Sequence, residues 1–399
     1  MTSSPEKSHA PTTLLSGVRV LDLTAVVMGP LATRMLADMG AEVIRVEPPG
    51  GDVIRQYEPM RSPAMGAFAM NLNRNKRSVM LDLKTPTGRE AMADLVASSD
   101  VFVSTLRRSA LERLGLDAET CRSVRPDLIH CVANGFGSDG PHGDRAAYDD
   151  VIQAASGMAS MFAWTGGEPQ LIPTIAADKI TGTHIAFAIA AALHSRAVTG
   201  EGATLEVPMG ETMAAFNLVE HLGGHTFDPP EGPFSYQRVI TPHRRPRRSR
   251  DGWIVILPYS RTNWLEFFAE GGRPDLGEDT RFETTAGRVT HADALYATMD
   301  EIVGTKTTAE WIEFCTRSSI PVSEVVELSE IDQHEHYSAV GLIESADHPT
   351  EGPYRYVRDT IMVDGAKPAL RHHAPRLGAD TNSVMTELGW SNLRIAALE

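Results

Sequence analysis

The chain has 399 residues, a formal net charge of −15 and three cysteines. At roughly 150 residues per domain this length predicts two or three domains, and 42% hydrophobic with 22% charged residues excludes wholesale disorder. The acidic balance argues against nucleic acid as a partner, because phosphates need Lys and Arg to neutralise them. Three thiols are too few for a disulfide framework, so a cytoplasmic protein is expected. Residues 1–13 are polar and read as a flexible tail without the apolar core of a signal peptide. The apolar run Ile185–Leu193 falls well short of the ~20 residues of a membrane span, so no membrane association is expected.

Order is expected from Leu14. A strand pattern at Gly17–Leu23, a helix over about 30–39, Gly40 as a stop and a strand at Ala41–Glu47 make a βαβ unit, which predicts a parallel sheet. The alternation continues with a strand at 77–82, a helix at 87–97, a strand at 100–104, helices at 106–114 and 117–123, and a strand at 128–133. Segments 148–165 and 178–197 read as two long helices rich in Ala, Ile and Met. Gly223-Gly224, Pro229-Pro230 and Gly232-Pro233 mark a linker. Beyond it lie a strand at Gly252–Leu257 and helices at 263–270 and 309–316, then a strand at Tyr354–Val363 and a last helix.

Several motifs fail on context. Gly135, Gly137 and Gly140 make a G-x-G-x-x-G, but Pro141-His142-Gly143-Asp144 follows where a helix should be under way, and no acidic residue follows at ribose-binding distance. His334-Glu335-His336 and His372-His373 lack the spacing of metal ligands. The basic run His243–Arg250 suits either a solvated loop or a contact to phosphate or carboxylate.

One ordered set of segments resembles the family III CoA-transferases. It comprises Gly17-Val-Arg-Val-Leu-Asp-Leu, Gly29-Pro30, Leu36–Pro48, Asn73–Ser78, Leu81–Gly88, Ala110–Leu116, Gly135–Pro141, Ala147-Tyr148-Asp149 with Gln153–Gly157, Ala177–Gly182, Pro375–Gly378 and Glu387–Trp390. The resemblance implies a large α/β domain with a mostly parallel, Rossmann-like sheet, built from both chain ends (14–222 with 340–399). It also implies a smaller central α+β domain at 225–335 and an interlocked homodimer.

The resemblance makes Asp178 the nucleophile, while its place at a helix start fits an N-cap equally well. A free aspartate, pKa ~3.9, is ionised at pH 7 and needs no base to attack a thioester. Related racemases carry His where this chain has Tyr148. Tyr, with pKa ~10, is a poor general base but a hydrogen-bond donor, unless the ring is simply buried with its hydroxyl satisfied. CoA contacts are implied at Val26, Val27, Leu81, Lys84, Thr105, Leu106 and Arg113, with Lys84 and Arg113 open to the reading of plain surface charges. Thr105-Leu106 stands where the family often has Asn-Phe. The implied activity is transfer of CoA from an acyl-CoA to a free carboxylic acid, with no metal and no cofactor beyond CoA as substrate. An acyl-CoA racemase and a CoA-ester-binding protein without turnover are the alternatives.

Overall fold

The computed structural model describes residues 14–398, apart from the side chain of Gln237; the tail expected over 1–13 lies outside them. The chain forms two compact units. The first runs to Ser156, resumes over Leu171–Phe216 and again from Val340, and the second comprises Gly157–Gln170 and Asn217–Ala339.

In the first unit, β1 (Arg19–Leu23), α1 (Met28–Asp38), β2 (Glu42–Glu47), α2 (Ala67–Asn73), β3 (Lys76–Met80), α3 (Pro86–Ala97), β4 (Val101–Ser104), α4 (Arg108–Leu114), α5 (Ala118–Val124) and β5 (Ile129–Val132) follow in turn. Local chemistry sets their ends. Thr85 caps α3 by accepting the Gly88 N–H at 3.0 Å with Pro86 opening the helix. After β5 the chain continues with α6 (Asp149–Ala155), α7 (Met161–Trp164, part of the second unit), α8 (Ala176–Thr199), β6 (Thr204–Glu206) and α9 (Met209–His221), whose last residues belong to the second unit.

The six strands pair in the order β3-β2-β1-β4-β5-β6, every pair parallel. The order reverses between β1 and β4, the point at which open α/β sheets bind ligands. All six strands come from residues 19–206, so the C-terminal end adds no strand to this sheet.

Each face of the sheet holds a different kind of core. On one, Leu21, Ile44, Val46, Val79 and Phe102 pack with Leu95 of α3 and with Val384, Met385, Trp390 and Ile395 from the chain's end. The other face carries buried charge. Asp22 of β1 meets Lys76 Nζ of β3 at 3.1 Å and Arg45 of β2 at 3.6 Å, and Glu47 takes a two-pronged contact from Arg55 at 2.7 Å. Lys76 also donates to the Pro30 carbonyl at 2.9 Å and to Thr33 Oγ1 at 2.8 Å, tying α1 to the sheet. The two cations and two hydroxyls around Asp22 outweigh burial and hold its carboxyl down to about 2, whereas burial pulls the Lys76 ammonium down to about 8. Removing one partner from such a network costs about 3–5 kcal/mol, because a charge is left buried without compensation.

The second unit contains β7 (Arg247–Arg248), β8 (Trp253–Ile256), α10 (Arg261–Glu270), α11 (Thr285–Thr290), α12 (Ala292–Val303), α13 (Thr308–Arg317) and β9 (Val322–Glu324). Its three strands form an antiparallel sheet, β7-β8-β9. Trp264, Phe267, Phe268 and Trp311 centre its core. The basic run serves this unit. Arg245 and Arg247 reach Asp300, Arg247 lies over the Tyr296 ring, Arg248 over Trp253, and Arg250 meets Glu310.

The short helix α14 (Glu335–Ala339) precedes the return to the first unit, which adds β10 (Ile343–His348), β11 (Gly352–Val357), α15 (Thr381–Glu387) and α16 (Asn392–Ala396). Three expectations are corrected. Segment 148–165 is two short helices rather than one, because Gly157 takes a φ of 84° and stops α6. Residues 157–170 group with the second unit rather than with the expected 14–222. The strand expected at 354–363 is instead β11, which ends at Val357 and pairs antiparallel with β10, a strand not anticipated.

Candidate active site

The turn after β1, the end of β4 and the loop after β5 converge with the start of α8 around a cleft of about 210 Å³. Val26, Thr105, Tyr148 and Asp178 line it together, so the switch point between β1 and β4 coincides with the two candidate chemical residues. A larger cavity of about 640 Å³ lies against α4, α5, β5 and β6. Glu112, Asp117, Glu119 and Glu206 outnumber Arg108 on its wall. That sign of charge repels an anionic ligand, and the smaller cleft is the better candidate.

Asp178 lies in the first turn of α8, buried, at 9% exposure. It is not the cap: the N-cap position is Ile175, which makes no side-chain cap bond. The capping group comes from α6 instead, since the Asp178 N–H donates to Asp149 Oδ1 at 2.9 Å. Asp149 is fixed in turn by Gln153, one helical turn later, whose Nε2 donates to Asp149 Oδ2 at 2.6 Å and to the Thr174 carbonyl at 3.2 Å. Gln153 Oε1 accepts the Ile172 N–H at 2.9 Å. Asp149 and Gln153 thus pin the 172–178 segment that presents Asp178.

Burial first, and the Asp149 carboxylate second, push the Asp178 carboxyl up to about 7. The expectation of an aspartate fully ionised at pH 7 is therefore corrected: near that pH part of the carboxyl keeps its proton. Any stabilisation from the positive end of α8 is outweighed.

Tyr148 precedes α6 and is 69% exposed, which discards the reading of a buried ring with a satisfied hydroxyl. Helix α8 seats against α1 because Gly182 has no Cβ; one placed there would lie 2.8 Å from the Met28 carbonyl oxygen. Val26 has a φ of 63°, a left-handed backbone that costs a β-branched residue on the order of 1–3 kcal/mol. The Ala25 N–H beside it donates to Thr105 Oγ1 at 3.0 Å.

The remaining expected contacts lie elsewhere. Val27 is buried against Ile54, Ala69 and Leu72, Leu81 is in the sheet core, and Leu106 packs on that core's edge. Lys84 and Arg113 are exposed, after β3 and in the last turn of α4, and do not line the cleft. The cations that do line it are Arg107, at the N-cap of α4, and Arg145, in the loop after β5; sequence reasoning passed over both because neither falls in a motif that marks a ligand contact. Asp149 and Gln153 were within the quoted motif, and their spacing of four on a helix was the available signal. The Gly135–Gly140 loop is held by carboxylates: Gly137 N–H donates to Glu211 Oε1 at 2.9 Å and Ser138 N–H to Glu206 Oε1 at 2.8 Å. Gly135 has no room for a Cβ, which would sit 2.4 Å from that of Ala147. Among the described residues no group of three or more His, Cys, Asp or Glu is arranged to hold a metal ion, and no helix is long and apolar enough to cross a membrane.

The whole chain resembles known proteins. The family model for CoA-transferase family III matches residues 15–381. A probable fatty acyl-CoA transferase of Mycobacterium tuberculosis is 36% identical over 325 residues, 78% of this chain and 81% of that protein. A formyl-CoA:oxalate CoA-transferase of Rhodopseudomonas palustris is 30% identical over 413 residues, 96% of each chain. Among solved structures, an aspartate-to-alanine mutant of a Mycobacterium tuberculosis protein superposes with a TM-score of 0.82 at 28% identity, covering 94% of this chain and 99% of that one. A CAIB/BAIF family protein from Brucella suis does so with a TM-score of 0.79 at 27% identity, covering 95% and 100%. With the match spanning nearly the whole chain, the protein belongs to CoA-transferase family III and is a CoA-transferase enzyme.

Proposed function

We propose that the enzyme moves CoA from an acyl-CoA to a free carboxylic acid through covalent adducts on Asp178. The observation that carries this reading is the Asp178 carboxyl itself, buried in a cleft at the sheet's switch point together with Tyr148, with burial and Asp149 raising its pKa. A carboxylate raised in this way is a stronger nucleophile than a solvated one, and part of the population is ionised at neutral pH.

In the first step the ionised Asp178 attacks the thioester carbonyl of the donor. The C–S bond breaks, giving a mixed anhydride and CoA thiolate. The thiolate then attacks the Asp178 carbonyl carbon, releasing the first carboxylate and leaving an aspartyl-CoA thioester. The acceptor carboxylate attacks that thioester to give a second anhydride and thiolate. Attack of the thiolate on the acceptor's carbonyl forms the new acyl-CoA and frees Asp178. Protons balance without a base, and no step calls for a cofactor besides CoA as substrate. Tyr148, exposed at the cleft, supplies a hydroxyl donor for the acyl oxygen as charge develops on it. Arg107 and Arg145 attract the acid, and Val26 and Thr105 border the acyl group. Lys84 and Arg113, both exposed, serve the nucleotide phosphates.

The working form in this reading is a homodimer, interlocked as the resemblance implies. Phe187 and Val198 on α8, each 73% exposed, support it, since apolar surface of this kind is commonly covered by a partner. Cytoplasmic action fits three thiols that are all free and buried.

The test is incubation with a panel of acyl-CoAs, trapping with hydroxylamine and mass spectrometry of the peptide around Asp178, alongside exchange assays with mixed acids. An adduct on Asp178, absent in Asp178→Ala together with exchange, is expected. Full exchange by Asp178→Ala, deuterium entering the α-carbon of an acyl-CoA without CoA exchange, or CoA binding with no turnover of any pair would each overturn the reading.

A further inference from the structure

The turn that forms one wall of the cleft is held from behind by a carboxylate that does not itself line the cleft. Val26 lies in the left-handed region, where a β-branched side chain rarely sits. Its N–H donates to Asp52 Oδ2 at 2.9 Å. The same oxygen accepts from Arg45 Nη2 at 2.5 Å. Asp52 Oδ1 accepts the Ile54 N–H at 3.3 Å, and the Asp52 N–H donates to Glu47 Oε1 at 3.1 Å. Asp52 is therefore fixed by an arginine and by its own backbone before it fixes Val26. Arg45 is fully buried, within 3.5 Å of Glu47 and 3.6 Å of Asp22, so the clamp stands on the ionic face of the sheet.

The clamped wall is also seated against the helix that carries Asp178. The Met28 carbonyl lies where Gly182, one turn beyond Asp178, leaves space. Without a bond to its amide, the preference of Val26 for negative φ is opposed only by the flanking contacts of Ala25 and Met28, and the 25–28 segment relaxes toward it. A displacement of about 1 Å in a positioning element can cost on the order of 10²-fold in rate.

Resting on the reading that Asp178 reacts in this cleft, we infer that Asp52 is a positioning residue for CoA transfer: through the Val26 amide it holds the 25–28 wall in register with Asp178. Its contribution is to kcat rather than to binding, because it reaches the reacting atoms only through the backbone it orders.

The test combines kinetics with hydrogen exchange on the full-length protein. Asp52→Ala is expected to lower kcat for CoA exchange by about tenfold or more while KM for the acyl-CoA stays within about threefold. Asp52→Asn keeps an acceptor oxygen for the Val26 amide and should stay within about threefold of wild type. Adding Val26→Gly to Asp52→Ala removes the Cβ penalty at positive φ and should raise kcat about threefold or more over Asp52→Ala. In parallel, amides of the 24–30 peptide should exchange about tenfold faster in Asp52→Ala while those of 185–199 in α8 are unchanged. If Asp52→Ala does not fold, Asp52→Ser, too short to reach Val26, takes its place with the same expected pattern. Unchanged kcat, no recovery with Val26→Gly, or a uniform rise in exchange across both peptides overturns the inference. Wild-type protein that exchanges no CoA refutes the proposed function instead, and the hydrogen-exchange arm then still decides whether Asp52 holds the turn.

Discussion

Replacing Asp178 by Asn should abolish CoA transfer and yet make the protein more stable in weak alkali. Burial and Asp149 raise the carboxyl from 3.8 to about 7 in the folded state, while in the unfolded chain it titrates near ~3.9. Below pH ~4 the group is protonated in both states and favours neither. As pH rises from ~4 to ~7 the unfolded chain gives up its proton and the folded protein keeps it, so stability falls. Above about 7 the penalty is complete. At 1.36 kcal/mol per pH unit, the separation between 3.8 and about 7 is worth on the order of 4 kcal/mol. The amide in Asp178→Asn would carry no charge at any of these pH values, so the stability gap between variant and wild type should open from near zero at pH ~4 to that order at pH ~8.5. Urea unfolding followed by tryptophan fluorescence at four pH values across this range, with slopes compared, measures it. A gap that does not change with pH, or an Asp178→Asn variant that is no more stable at pH ~8.5, would refute the argument that burial and Asp149 load this site.

The other expectations concern neighbours of Asp178. Asp149→Asn removes the nearby negative charge but keeps an oxygen for the Asp178 N–H; the rise of kcat/KM with pH, set near 7 by ionisation of Asp178, should move to lower pH. Tyr148→Phe should lower kcat by about 10- to 100-fold with little change in KM, as loss of an oxyanion donor does, read by steady-state exchange. Arg107→Ala and Arg145→Ala should each raise KM for the acid about tenfold at low salt, the effect shrinking as ionic strength screens the field. Gly182→Ala would place its Cβ 2.8 Å from the Met28 oxygen and should cost about 1–3 kcal/mol of stability as an overpacked contact, measured by urea unfolding at pH ~6.

The amino-acid sequence by itself determined the βαβ rhythm up to β5, because short segments holding Val, Ile, Leu or Met alternate there with helix patterns and with Gly, Pro or capping residues, and such signals are local. It also determined which segments to look at: the order of motifs from Gly17 to Trp390 brought Asp178 and Tyr148 forward together, and the structure sets both in one cleft. Where local signals were weak the reading slipped. β6 has three residues and no apolar core of its own, β10 alternates with polar residues on its exposed side, and Gly157 interrupts a segment whose composition still looked helical.

Only the tertiary structure decided the electrostatics of the site. Asp149 and Asp178 are 29 residues apart in the chain, and no spacing rule says that one caps the other's helix and raises its carboxyl. The same holds for Asp52, whose bond to Val26 spans 26 residues, and for Arg107 and Arg145, which meet at the cleft only because two loops from separate strands end at the same edge of the sheet. Lys84 and Arg113 were equally plausible cations on paper, yet neither lines that cleft. Periodicity is carried by neighbours along the chain, whereas desolvation and Coulomb energy depend on distances that exist only once the sheet has formed.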